Sequence, residues 1–193
     1  MNRGKKVFVI GFHKIGTTSL KGALVLLGYS VSPVREVKHL DASPKSWDVL
    51  KPMIDKYDAF RAQPWPLFFR EIYEYRPDSK FILTIRPTEE WLKSVTNYFG
   101  EKTTPKREAI YGAGSPLGHE HAYAARYDQH NREVLEFFSD KPRSLLIMDL
   151  ATGIGWRELC AFLDEAGIPT RPFPHRNPTH RDSVSRQRQS GES

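Results

Sequence analysis

A five-residue run, KVFVI over positions 6–10, is apolar and rich in β-branched residues, and it stops abruptly at Gly11. A run of this kind reads as a strand buried on both faces, because a half-exposed strand would alternate with polar residues. From Gly11 to Gly16 no period is visible. Leu20, Ala23, Leu24 and Leu27 then recur at the spacing of one helical face, and Gly28 is a natural stop. A buried strand, a glycine-bounded loop and a helix in direct succession leave few folds open. The strand belongs in a sheet, and the helix must cross over one of its faces.

The rest of the chain repeats the alternation. KFILTI over 80–85 is the clearest strand, with further strands at Ser144–Met148 and, shorter, at Asp58–Arg61. Ser43-Pro44 opens a helix that carries Trp47, Leu50, Ile54 and Tyr57 on one face and is interrupted at Pro52. Pro64–Tyr75 predicts an aromatic-rich helix. Thr88 with Glu89 and Glu90 starts another, striped by Trp91, Val95 and Tyr98. A long helix is expected over His121–Phe138, and a last one carries Trp156, Leu159, Cys160 and Leu163. Glu101 to Gly118 holds two prolines and three glycines and predicts a long irregular loop. The expectation is an α/β fold in three layers, α/β/α, around a central parallel sheet of about five strands, like that of the P-loop nucleotide-binding proteins.

With 193 residues and 39% apolar content, the chain suits one domain, placed at 1–175. A basic, loose tail is expected over 176–193, because from Arg171 onward there are five arginines against Asp182 and Glu192. The remaining charge excess of the body fits an anionic small ligand better than a nucleic-acid track. Apolar stretches such as Ala23–Leu27 are too short to cross a bilayer, and the run after Met1–Lys6 is too short for a signal peptide. A cytoplasmic location is therefore expected. The one cysteine, Cys160, excludes an internal disulfide framework, and it falls on an apolar stripe as a core residue would.

The first loop, GFHKIGTTS, lies where backbone N–H groups and the positive end of a helix dipole converge on an anion. Gly16 lets the backbone approach phosphate closely, and Thr17, Thr18 and Ser19 add hydroxyl donors. The spacing of Gly11 and Gly16 matches the nucleotide-triphosphate loop GxxxxGK[ST], but Thr17 stands in place of its lysine. The lysine here is Lys14, and His13 beside it can reach the same phosphates. The nearest candidate for a magnesium-binding acid is Asp149. Arg86 closes the strand KFILTI, at the edge where open α/β sheets bind ligands. Eight residues on, Ser94 flanks the stripe of the next helix. A guanidinium fork with a hydroxyl suits a second phosphate.

GFHKIGTTSL, together with FILTIRPTEEWLKSV, resembles the sulfotransferases that use 3′-phosphoadenosine 5′-phosphosulfate, and in particular a compact subfamily of them. The similarity extends to YDAF and PWPLFFRE, to YGAGSPLGHE and RYDQHN, and to LLIMDLATGIGWRELCAFL and PFPHRN, nearly everything from Lys6 to Asn177. The resemblance implies that the first loop holds the 5′-phosphosulfate, that Arg86 and Ser94 hold the 3′-phosphate, and that Lys14 neutralises charge on the bridging oxygen. It implies no metal. In related enzymes a general base often follows the strand before KFILTI. That place is Arg61-Ala62-Gln63-Pro64 here, with Ala62 where an Asp is common, so the base is sought elsewhere. His119 and Glu120 are the candidates carried forward, with His121 and Asp41 beside them; His130 falls on a helical stripe as a buried structural histidine would. Expected partners are a small-molecule or glycan acceptor, no nucleic acid and no membrane, with a homodimer left open. Two other readings stand beside this one: a P-loop kinase acting on a small molecule, and a catalytically silent nucleotide-binding protein that works through a partner.

Overall fold

The computed structural model describes residues 4–149 and 155–174, so the tail expected over 176–193 lies outside the described residues. Four strands form one sheet among them: β1 (Val7–Val9), β2 (Ala59–Phe60), β3 (Lys80–Ile85) and β4 (Leu145–Asp149). All pairings are parallel and the spatial order is β2-β1-β3-β4. The sheet is thus one strand smaller than the five expected, while its parallel character stands. Phe8 of β1 pairs with Phe60 on one side and Phe81 on the other, and β3 aligns Phe81–Ile85 with Leu145–Asp149.

Both faces of the sheet are covered, which explains why β1 reads as a continuous apolar run. Phe8, Ile10, Phe60, Phe81 and Leu83 point to one face. They pack there against Leu50 and Ile54 of α3 (Pro44–Lys56), Ile72 of α4 (Phe69–Tyr75) and Val134 of α7 (Glu120–Phe137). Val7, Val9, Ala59 and Ile82 point to the other, against Leu20, Ala23 and Leu24 of α1 (Thr17–Leu26) and Leu159 and Cys160 of α8 (Trp156–Phe162). Strict alternation along β1 therefore divides one apolar run between two cores. Cys160 is buried, as its stripe predicts.

A third cluster roofs the carboxyl edge of the sheet. Phe12 and Ile15 from the first loop meet Trp91 and Val95 of α5 (Thr88–Phe99), Ile110 and Tyr111 of α6 (Pro105–Tyr111), and Tyr123 and Tyr127 of α7. Trp91 and Tyr127 stack at 4.2 Å, and Tyr111 and Tyr123 at 4.1 Å. Each such ring pair adds about 1 kcal/mol beyond its buried area.

Several local readings need correction. Glu101–Gly118 is not a bare loop: α6 lies inside it, opened by Thr104, whose hydroxyl accepts from the Arg107 N–H, with Pro105 as its first residue. A short helix, α2 (Val34–Val37), also escaped the periodicity. Pro64–Tyr75 divides into a 3₁₀ turn, Trp65–Phe68, and α4. α5, by contrast, starts at Thr88 with Glu89 and Glu90 in its first turn, as expected; Pro87 holds the cap position, and the Thr88 hydroxyl donates to the Asp128 carboxylate at 2.6 Å. Tyr98 leaves the apolar stripe of α5 and is 63% exposed. No helix among the described residues is long and apolar enough to cross a membrane.

Candidate active site

The order β2-β1-β3-β4 reverses direction between β1 and β3, and a crevice opens at such a switch beyond the carboxyl ends of the strands. The two segments singled out in the sequence leave the sheet there. Gly11–Gly16 follows β1, and Arg86 follows β3.

Packing fixes the loop. A Cβ on Gly11 would lie 2.1 Å from Ile15 Cδ1 and 2.7 Å from the Thr84 carbonyl oxygen, so only glycine fits against β3. Lys14 and Gly16 both take left-handed backbone, at φ 61° and 79°. Glycine does so freely, whereas at Lys14 it costs on the order of 1 kcal/mol. The Trp91 indole N–H donates to the His13 carbonyl at 2.7 Å, holding the strained turn from α5.

Gly16 caps α1 without any side-chain hydrogen bond; the Ser19 N–H donates to the Gly16 carbonyl at 3.0 Å, and the Thr17 and Thr18 N–H groups of this ten-residue helix have no backbone partner among the described residues. Thr17 is half-buried, Thr18 exposed and Ser19 buried. Arg86 turns over this loop, its guanidinium donating to the Lys14 carbonyl at 3.4 Å. Tyr127 clamps the Arg86 backbone, accepting from its N–H and donating to its carbonyl, both at 3.1 Å. The Lys14 ammonium sits 3.9 Å from the centre of the Tyr98 ring. Its pKa is lowered, first by burial and then by the Arg86 charge. Two cations pressed together with a helix N-terminus make a site that favours a polyanion. Ser94 is half-buried on α5, between Trp91 and Val95.

His13 points toward α6. Its Nδ1 and the Tyr111 hydroxyl share a hydrogen bond of 2.8 Å, and its ring stands edge-on to Phe99. Burial, reinforced by Lys106 and Arg107, pushes its pKa down to about 4, so the ring is neutral at physiological pH.

The base candidates fare differently. His119 is exposed at the start of α7. Glu120 accepts from the Gly118 N–H at 3.1 Å, and backbone hydrogen bonds lower its pKa, so it acts as a cap for its own helix start. Asp41 accepts through Oδ1 from Ser43 and Ser46, which hold its carboxyl well below the usual range. His121 is exposed. His130 is a structural group, as its stripe predicts: its Nε2 donates to the Ile10 carbonyl at 2.8 Å and its ring stacks on Phe12 at 4.0 Å. In the segment after β2, Ala62 takes φ 65°, and neither the buried Gln63 amide nor Arg61 Nε finds a hydrogen-bond partner among the described residues.

Sequence reading missed Tyr111 and Tyr98 as neighbours of His13 and Lys14. Nothing local marks a partner 98 residues away.

A parallel α/β sheet covered by helices, with a glycine-bounded loop at its switch point, is consistent with a P-loop-like fold. The chain matches the sulfotransferase domain over residues 6–118 and 106–181 and belongs to that family. It is also similar to the Ava biosynthesis cluster protein M of Aspergillus versicolor, with 26% identity over 88% of this chain and 80% of that protein.

Proposed function

We propose that the protein transfers a sulfuryl group from 3′-phosphoadenosine 5′-phosphosulfate to a hydroxyl or amine of a small molecule or glycan. The observation that carries this reading is the convergence of the open α1 N-terminus, Lys14 and Arg86 on one crevice. Family membership supports it. A small-molecule acceptor also suits the similarity to a biosynthesis cluster protein.

In this reading the backbone from Lys14 to Thr18 receives the 5′-phosphosulfate. Lys14 meets the charge that builds on the bridging oxygen as the sulfur–oxygen bond breaks. Thr17 and Thr18 add hydroxyls, while buried Ser19 supports the turn rather than lining the crevice. Arg86 grips the 3′-phosphate as a two-pronged donor, with Ser94 completing that contact. Holding donor and acceptor in line supplies much of the rate, since sulfuryl transfer needs little covalent help from the protein.

The test is calorimetric titration with adenosine 3′,5′-bisphosphate without metal and, separately, with ATP and magnesium. It is followed by transfer of label from ³⁵S-phosphoadenosine phosphosulfate to a panel of phenols, alcohols, amines and sugars. Tight metal-free bisphosphate binding and a labelled product are expected. Binding of ATP with magnesium alone would replace the reading with a kinase. Bisphosphate binding with no transfer would favour a silent nucleotide-binding protein.

A further inference from the structure

We propose that His13 accepts the proton of the attacking group and that Tyr111 fixes the tautomer that allows it; this rests on the sulfotransferase reading above. His13 immediately precedes Lys14, so it stands beside the lysine assigned to the bridging oxygen. Its backbone is tied to the Trp91 indole, and its ring is boxed by Phe99 and Tyr111 at centroid distances of 5.6 and 6.1 Å. The ring therefore has one orientation. Nδ1 is engaged by Tyr111, whereas Nε2 has no hydrogen-bond partner among the described residues. Among the histidines and acids considered for the task, only His13 combines a fixed position in the phosphate loop with a nitrogen left over. Asp41 and Glu120 are spent on local hydrogen bonds, and His130 is bound to the Ile10 carbonyl.

The tautomer decides whether Nε2 can work. With the proton on Nδ1, that N–H donates to the Tyr111 oxygen, and the Nε2 lone pair is open. The Tyr111 phenol is held in its protonated form by burial, so it orients the imidazole without ionising. In the transfer step the acceptor O–H gives its proton to Nε2, and the oxygen lone pair forms the new bond to sulfur. The bond from sulfur to the bridging oxygen breaks, with its electron pair going to the 5′-phosphate. The products are a sulfate ester, adenosine 3′,5′-bisphosphate and an imidazolium that later loses its proton to water.

Among the described residues, the charged and titratable groups acting on His13 are Lys106, Arg107 and Tyr111 on α6; α5 sets the uncharged Trp91 and Phe99 against it, and the ammonium of its chain neighbour Lys14 lies over the Tyr98 ring. Burial foremost, reinforced by the Lys106 and Arg107 charges, keeps the empty ring neutral. A bound polyanionic donor offsets them and makes Nε2 more basic at the moment it is needed.

The ¹⁵N shifts of His13, followed against pH with and without adenosine 3′,5′-bisphosphate, test this without knowledge of the acceptor. The proton should reside on Nδ1 in the neutral ring, and bound bisphosphate should raise its pKa by about one unit or more. A proton on Nε2, or a pKa that bound bisphosphate leaves unmoved, overturns the assignment. Failure of the bisphosphate to bind at all is a separate result and removes the sulfotransferase reading with it. Release of ³⁵S-sulfate from labelled donor to water should fall by about 10²-fold or more in His13→Gln. Bisphosphate affinity should stay within about threefold, as expected for a group acting only in the transition state. Tyr111→Phe, which keeps the stack on Tyr123, should lower the rate while leaving that affinity alone. Equal rates in the parent and His13→Gln overturn the proposal.

Discussion

Acidification should unfold this protein by way of His130, and the size of the effect follows from where that ring sits. It is 1% exposed, stacked on Phe12, edge-on to Phe69, and bound through Nε2 to the Ile10 carbonyl at the end of β1. Burial foremost, opposed by the Ile10 hydrogen bond and reinforced by Arg126 and Arg70, lowers its pKa from 6.5 to about 4. Below pH 6.5 the unfolded chain takes up a proton that the folded chain refuses, so folding weakens as pH falls from 6.5 toward 4 and the stabilisation is complete above 6.5. At 1.36 kcal/mol per unit, the full gap is about 3 kcal/mol, and about 2.5 kcal/mol of it is gone at pH 4.5. The assay is urea unfolding of the parent and of His130→Gln at pH 7 and pH 4.5. Glutamine can still donate to the Ile10 carbonyl but does not titrate, and although it loses the Phe12 stack, that loss is common to both pH values. His13, lowered in the same direction, is present in both proteins and cancels. The parent should lose about 2 kcal/mol more than the variant on acidification. The same loss in both would refute the burial argument.

Lys14→Ala should reduce turnover far more than it weakens bisphosphate binding, and equal losses would assign Lys14 to binding alone. Arg86→Ala should erase the preference for 3′-phosphorylated over plain adenosine phosphosulfate, measured by competition; a retained preference would move that contact elsewhere. Gly11→Ala should cost about 2–3 kcal/mol in thermal or urea unfolding, because the added methyl meets the Thr84 backbone as well as a movable Ile15 side chain. Unchanged stability there would mean the loop is not clamped against β3.

The local elements that build the site were legible because each carries its own signal. KVFVI and KFILTI are apolar enough to be strands in any context, and Leu20, Ala23 and Leu24 keep helical spacing. The glycines and Lys14 between them pointed to an anion before any packing was visible. Helix α6 was hidden by its neighbours, since the prolines and glycines around it outweighed the Thr104-Pro105 start that the sequence does contain. Thr88 starts α5 where the local pattern places a start, while the partner of its hydroxyl, Asp128, lies 40 residues away and has no local signal. Tyr98 was placed on a core stripe by spacing, yet it turns outward to carry Lys14.

By itself, then, the sequence determined the alternation of strands and helices, the phosphate-type loop, the arginine at the end of β3 and the resemblance in which these were first combined. Periodicity, caps and glycine positions act within a few residues, so a linear reading reaches them. Tertiary structure alone decided the order β2-β1-β3-β4, the separation of Val7 and Val9 from Phe8 and Ile10 into two cores, and the companions of the loop. Arg86 meets Lys14 across 72 positions, Trp91 holds His13 across 78, and Tyr111 reaches it across 98. Contacts at such separations are set by how covered faces and a twisted sheet bring strand ends together, and no local pattern encodes that meeting.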